Sequence, residues 1–428
     1  MITGQIGMTG APVAMVRYVV ATMAAGTHAR TRTAVWTLAF RPFFIAAGLW
    51  AALALALWIA LLFSGHPLPS RFDPLSWHIH EMLFGFVPAA IGGFMLTAIP
   101  NWTGRRPIQG VALGALALLW LLGRVVCLVS ALLPLWPAAA IDLAFPFVLC
   151  ALAAREIIAA RNWRNLAMPL PIGVLGVADL LMYLQLGGES VAPGLGWRLG
   201  LAAVIMLISA VGGRIIPNFT RNWLVKRSAH RPGAALTAAA ALPAPAGLPD
   251  RAALGSLHAG LIAWAFLPEQ PLVGALLLLA AALNLWRLLR WRGQATLAEP
   301  LLTILHVGYG WVAVGAGLLG AATLTGGVPL PAAIHALTAG AIGTMTLAVM
   351  TRVTLGHTGR PLHADMCTVL IYLLVTLAAA LRVAAGFDNG AFLLLIDLSA
   401  TAWVAAFLLF AVRYGPILMA PRTSQAAG

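Results

Sequence analysis

Two histidines stand at matching places in two similar apolar segments. His80 opens H-E-M-L-F-G-F and His335 opens H-A-L-T-A-G-A, and the two segments share further Gly, Met and Thr-Gly positions at a constant offset of 255 residues. Imidazole is an axial ligand of haem iron and also suits copper. The pairing predicts that His80 and His335 hold one metal centre together. The alternative is that both rings only cap helix ends at the membrane interface.

The motif W-H-I-H-E-M places a further histidine next to this pair. His78 is two residues from His80 and therefore on a different face of a helix. We do not expect these two rings to bind one iron together, but His78 remains a candidate ligand for a cofactor or a metal. No C-x-x-C-H motif occurs, so any haem is expected to be held without covalent attachment.

Two arginines and two aspartates are expected at a depth similar to that of these histidines. Arg124 and Arg382 could neutralise haem propionates. The alternative is that they form structural ion pairs with Asp142 and Asp397 inside helical hairpins. Charged groups within a bilayer cost about 2.5–3.5 kcal/mol each on insertion scales, so such a layer is expected to be paired or functional.

His258 and His306 form a second layer, about 9–10 Å in from the opposite membrane face at about 1.5 Å per residue. Neither has a histidine at the equivalent place of another repeat. They fit a second metal or a proton relay, and they fit ordinary interhelical hydrogen bonds equally well. Asp179, in the fifth apolar segment, fits either a proton station or a lone structural carboxyl.

The elements that position these residues are membrane helices. Of 428 residues, 61% are hydrophobic and 9% are charged, whereas soluble proteins carry roughly 25% charged residues. Apolar runs long enough to cross a bilayer recur along the chain. The pattern predicts an all-α polytopic membrane protein of about twelve helices, which begin near Arg41, Trp77, Ile108, Trp136, Leu166, Trp197, Ala252, Leu272, Leu301, Ala332, Met366 and Ala391.

The repeated motifs divide these helices into three four-helix units in one orientation. A third copy of the helix-two motif ends in I-P-N-F-T, with Trp197 where the other two have histidine. We predict a tail over 1–40, repeat 1 over 41–164, repeat 2 over 165–292, repeat 3 over 293–414 and a tail over 415–428. Repeat 2 contains a basic, then Pro/Ala/Gly-rich loop over 221–251.

The net charge of +14 orients the chain and gives no reason to expect nucleic acid. With the N-terminus inside, 22 of the 26 Lys and Arg residues fall on the cytoplasmic side. We therefore expect an inner-membrane protein with both termini cytoplasmic and lipid around it.

Several longer motifs carry a family resemblance. F-R-P-F-F from Phe40, W-H-I-H-E-M-L-F-G-F from Trp77, G-F-M-L-T-A-I-P-N-W-T-G from Gly93, L-H-x-G-Y-x-W around His306 and T-R-V-T-L-G-H-T-G-R-P-L from Thr351 resemble the NnrS family. The resemblance implies a twelve-helix bacterial membrane protein that contains haem, of the b type, and copper. It also implies a link to denitrification, the nitric oxide response and nitrosative-stress tolerance, with nitric oxide or a metal–nitrosyl species as partner.

The plan of three four-helix units with histidines on helices two and ten also resembles the catalytic subunit of haem–copper oxidases. Trp197 on helix six and the lone His258 on helix seven do not supply that subunit's ligand set, so a complete oxidase-type centre is not expected. A secondary transporter without a redox cofactor is the alternative function. Carriers commonly have inverted repeats, however, whereas these repeats are parallel.

Overall fold

A computed structural model describes residues 34–66, 68–229 and 242–423, and over these residues the protein is all-helical. Twelve long helices follow one another: α1 Phe40–Ser64, α2 Pro74–Thr103, α3 Val111–Leu128, α4 Leu135–Ala159, α5 Leu170–Leu186, α6 Leu195–Ala229, α7 Leu248–Phe266, α8 Pro271–Leu289, α9 Pro300–Thr325, α10 Leu330–His357, α11 Met366–Ala384 and α12 Phe392–Met419. Each begins within four residues of its predicted start. The predicted fold class is confirmed.

Eleven of these helices are long and apolar enough to cross a membrane. The twelfth, α7, is of similar length, but its first turns carry Pro249, Asp250 and Arg251, which lower its apolar character. Consecutive helices pack side by side, as in an up-and-down bundle. The even-numbered helices therefore begin at one end of the bundle, which we call the even end, and the odd-numbered helices begin at the odd end.

Some predicted connections are shorter in the structure. Helix α6 continues to Ala229 and α7 begins at Leu248, so helices occupy both ends of the segment predicted as a loop over 221–251. Helix α12 continues to Met419, past the predicted start of the tail at 415. The predicted N-terminal tail up to residue 33, the middle of the 221–251 loop and the last five residues lie outside the described residues.

The repeat-equivalent helices α2, α6 and α10 meet in the middle of the bundle. An apolar cleft of about 620 Å³ opens between them, with Thr346 as its one polar lining residue. A second cleft of about 720 Å³ continues from it toward the odd end, where Arg352 and His357 line it. The two clefts share Phe94, Ile215 and Val349.

Helices α2 and α10 are both interrupted by π-helix at the same place in the repeat. The π-helical turns cover Glu81–Phe86 and Ala336–Gly343, directly after His80 and His335. A π-helical turn inserts an extra residue into the helix and often marks a functional site. The two π-helical turns thus fall at matching places in the two segments that align in the sequence.

Candidate functional site

His80 lies at the centre of a buried polar cluster at the even end of the bundle. Its Nε2 is 2.9 Å from Oδ1 of Asp179 and 3.2 Å from Oδ2 of Asp142, and its Nδ1 is 3.2 Å from Oε1 of Glu81. The ring stacks on Phe72 with 4.9 Å between the ring centroids. None of the four polar residues exposes more than 1% of its surface. We call His80, Glu81, Arg124, Cys127, Asp142 and Asp179 the carboxylate cluster.

Arg124 on α3 joins two of these carboxylates. Its guanidinium donates to Oε2 of Glu81 at 2.8 Å and also pairs with Asp142 on α4. Trp50 Nε1 donates to Glu81 as well, and the Tyr183 hydroxyl donates to Asp142. The intrahairpin pair between Arg124 and Asp142, considered from the sequence, is thus present, and it is part of a larger network.

Cys127 brings a thiol into the same cluster. It is fully buried on α3, and its Sγ is 3.4 Å from Nδ1 of His80. One donor atom from each of His80, Cys127 and Asp142 lies within 4.8 Å of the other two. An imidazole, a thiol and a carboxylate at such separations are a set of donors that can hold a metal ion.

His78 belongs to a second candidate site at the even end of the bundle. Its ring stacks on Trp58 with 4.2 Å between the ring centroids. His335 interacts electrostatically with both His78 and Arg382, and His78 interacts with Arg382 in the same way. We call His78, His335 and Arg382 the histidine pair site.

Two buried nitrogen atoms of the histidine pair site have no hydrogen-bond partner among the described residues. They are Nδ1 of His78 and Nη1 of Arg382. The Nδ1 of His335 is 2.7 Å from the Pro331 carbonyl, a bond that orients the ring and leaves Nε2 as its electron-pair donor. Buried polar groups are seldom left unsatisfied, so these atoms indicate a missing partner.

The contacts therefore differ from the expectation that His80 and His335 face each other. Both ring nitrogens of His80 contact residues of the carboxylate cluster, whereas His78 is the helix-two histidine that interacts electrostatically with His335. The two histidines of α2 do lie on different faces, as expected. The ion pair between Arg382 and Asp397, considered from the sequence, does not form among the described residues. Asp397 is exposed, and one buried nitrogen of Arg382 has no hydrogen-bond partner.

His258 and His306, the histidines nearer the odd end, form hydrogen bonds with side chains of helix α6. His258 Nε2 is 2.8 Å from the Ser209 hydroxyl, and His306 Nε2 is 3.0 Å from the Thr220 hydroxyl. The ring of His306 also lies against Gly293, where an added Cβ would come within 2.8 Å of Nδ1. Each histidine thus makes an interhelical hydrogen bond, which is the simpler of the two roles expected from the sequence.

Cys127 and Tyr183 are not named as site residues in the sequence analysis, and Asp179 is named there without its partners. Cys127 follows Arg124 by three residues on one helix, a spacing that puts both on the same face and could have identified the thiol. Asp179 and Tyr183 are four residues apart on α5, which places them on one face as well. They come from the second repeat, so no motif within repeat 1 could have joined them to His80.

Comparison with known proteins gives one clear result. Residues 34–422, which are nearly all of the described chain, match the protein family described as NnrS protein. No curated protein matches the chain.

Proposed function

Because this chain belongs to the NnrS family, we propose that it is a haem- and copper-binding membrane protein of the bacterial nitric oxide response. The observation that carries the proposal is the histidine pair site, where imidazoles from the repeat-equivalent helices α2 and α10 share one electrostatic environment with Arg382. We propose that His78 and His335 would hold the haem iron, in place of the His80 and His335 pair expected from the sequence.

The unpaired atoms of this site suit a haem. A haem needs one or two nitrogen ligands for its iron and cationic groups for its propionates. His78 Nδ1 and Arg382 Nη1 are both buried without a partner among the described residues, and a bound anionic cofactor would satisfy them. The carbonyl of Pro331 holds the His335 ring in one orientation, as second-shell partners of metal-binding histidines usually do.

The charged residues of the carboxylate cluster do not interact with the two histidines of the histidine pair site. Arg382 is the only charged residue that interacts with either His78 or His335 in the described part of the chain. When bound, haem supplies an iron that takes up electrons and binds small gases such as nitric oxide. The protein's own residues would hold the iron, pair with the propionates and keep water out.

The apolar cleft between α2, α6 and α10 supports nitric oxide as the small-molecule partner. Its lining carries no charged side chain and almost no polar surface. A small uncharged gas dissolves in such a space more readily than an ion or a polar metabolite does. This observation favours a gas-binding protein over a carrier of polar substrates.

The visible spectrum of the purified protein tests the proposal. We expect a Soret band in the wild type and its loss in His78→Ala and in His335→Ala, because each variant removes one iron ligand. His363→Ala is the matched control, since His363 is exposed in the loop between α10 and α11. A colourless wild-type preparation, or a Soret band unchanged in both variants, would contradict the proposal, and the colourless result would favour a transporter.

A further inference from the structure

We propose that the carboxylate cluster is a separate site for a thiophilic metal ion, with His80, Cys127 and Asp142 as its ligands. The inference goes beyond the haem site because it concerns different residues. It rests on the proposed function only for the choice of copper as the natural occupant.

The surroundings of His80 place donor atoms around its ring. Nε2 lies 2.9 Å from Oδ1 of Asp179 and 3.2 Å from Oδ2 of Asp142, and Nδ1 lies 3.4 Å from Sγ of Cys127. A metal ion that binds the ring replaces the proton of the nitrogen that it binds. A carboxylate that accepts from the far nitrogen of a histidine is the usual second-shell partner of a metal-binding imidazole.

The depth and packing of the cluster make its donors well ordered. Three helices supply the ligands, α2 for His80, α3 for Cys127 and α4 for Asp142, and all three side chains are at most 1% exposed. Glu81 Oε1 is 3.2 Å from His80 Nδ1 and is placed to serve as a fourth ligand. Ligands held on packed helices define a site better than ligands on loops do.

The charge balance of the cluster also favours a cation. The three carboxylates of Glu81, Asp142 and Asp179 face two basic groups, the guanidinium of Arg124 and the imidazole of His80. With the carboxylates ionised and the imidazole protonated, three negative and two positive charges leave a net charge of −1. Uncompensated buried charge is costly, and a bound cation would offset it.

The donor set selects the metal class. Thiolate and imidazole ligands favour copper and zinc over magnesium or calcium, which prefer oxygen. A metal ion that binds here displaces the thiol proton of Cys127 and the proton of the His80 nitrogen that it binds, and both leave as H⁺, because the thiolate and the unprotonated nitrogen are the ligands. No change of oxidation state is required.

Cobalt(II) is the probe, because a cobalt–thiolate bond gives a charge-transfer band in the near ultraviolet. We expect metal-depleted full-length protein to bind one Co²⁺ per chain with this band, and we expect Cys127→Ser to lose it. Asp142→Asn should weaken Co²⁺ binding by about 10-fold or more, in line with the loss of a carboxylate ligand. Cys150→Ser and Cys367→Ser are matched controls that remove thiols elsewhere and should keep the band.

Metal analysis of the protein as isolated then separates copper from zinc. One copper per chain in the wild type, absent from Cys127→Ser, supports the inference with copper as occupant, and one zinc with the same dependence supports it with zinc. No cobalt–thiolate band in the wild type, or an unchanged band in Cys127→Ser, would overturn it.

The two proposals fail separately. His335→Ala should lose the Soret band and keep the cobalt band, whereas Cys127→Ser should keep the Soret band and lose the cobalt band. A retained Soret band and a single gel-filtration peak also show that Cys127→Ser is folded.

Discussion

At the scale of single residues, the main feature is that two histidines separated by one residue contact two different groups of side chains. Each residue of an α-helix is rotated by about 100° from the one before it. His78 and His80 are therefore rotated by roughly 200° from each other and lie on nearly opposite sides of the helix. His80 faces α3, α4 and α5, and His78 faces Trp58 and the third repeat. The motif W-H-I-H-E-M therefore connects the carboxylate cluster to the histidine pair site through one helical turn.

Arg124 is the residue on which the carboxylate cluster most depends for stability. Arg124→Met removes the guanidinium that pairs with Glu81 and Asp142 and leaves the His80 ring as their basic partner in the cluster. Breaking a buried ion pair in this way costs about 3–5 kcal/mol. We expect a clear fall in the thermal unfolding temperature of the purified protein in detergent.

Arg155→Met is the control for that variant. Arg155 also pairs with a glutamate, Glu156, but 64% of its side chain is exposed. Exposed pairs contribute about 0–1 kcal/mol, so its unfolding temperature should stay near that of the wild type. Equal unfolding temperatures for the two variants would show that Arg124 has no special role.

The residue scale also shows where sequence reasoning stops. The repeat identified His80 and His335 as equivalent, but equivalence of position does not show which side chains meet. The π-helical turn that follows His80 adds a residue to the helix. Residues before and after this turn therefore do not keep the relative directions that 3.6 residues per turn would predict. We propose His78 in place of His80, and the only sequence signal for His78 was its two-residue spacing from His80.

At the scale of elements, the π-helical turns bring neighbouring side chains close to the backbone. An added Cβ on Gly85 would lie 2.5 Å from Nη1 of Arg124 and 2.7 Å from Oε2 of Glu81. At the equivalent Gly340, it would lie 2.6 Å from the Trp311 ring. At both positions a neighbouring side chain lies so close to the backbone that only glycine fits. This explains why glycine occurs at the two aligned positions, Gly85 and Gly340.

Gly85→Ala tests this account of the π-helical turn. The methyl group must displace the bond between Arg124 and Glu81, so we expect a lower thermal unfolding temperature and weaker Co²⁺ binding by the carboxylate cluster. Gly114→Ala is the control on α3, where an added Cβ meets no atom within 4 Å. That change should leave stability unchanged or raise it by about 0.5–1 kcal/mol, because Ala is the better helix former. If Gly85→Ala behaves like Gly114→Ala, the close approach does not constrain residue 85.

The positions of the helices were easier to predict than their contacts. Hydropathy is a local property of the chain, and a bilayer requires about 20 apolar residues per helix, so all twelve starts could be read within four residues. Helix rotation and helix neighbours depend on the whole bundle. The contact of Asp179 and Tyr183 on α5 with His80 and Asp142 crosses the boundary between repeats, and no local pattern contains it.

At the scale of the whole molecule, α2, α6 and α10, which the sequence predicts to be equivalent helices of three four-helix repeats, lie around a central cleft. Only α2 and α10 carry histidine at the equivalent place, and α6 carries Trp197. The predicted repeat is thus not kept at the positions where we place the chemistry. We infer that the second repeat mainly completes the scaffold, and that it contributes Asp179 and Tyr183 to the carboxylate cluster.

The orientation of the molecule in the membrane is a further prediction at this scale. The distribution of Lys and Arg predicts that the odd end is cytoplasmic. Green fluorescent protein joined to the C-terminus should fluoresce, and alkaline phosphatase joined after Asp388, between α11 and α12, should be active outside. The reverse pattern would place both sites near the cytoplasmic face instead.

An experimental map of the purified protein tests the central claim most directly, because it shows the cofactor and its ligands together. We predict porphyrin density with its iron between the rings of His78 and His335 and with a propionate at Arg382. Porphyrin density against His80, or a map in which His78 and His335 contact each other or lipid with no cofactor between them, would contradict the account.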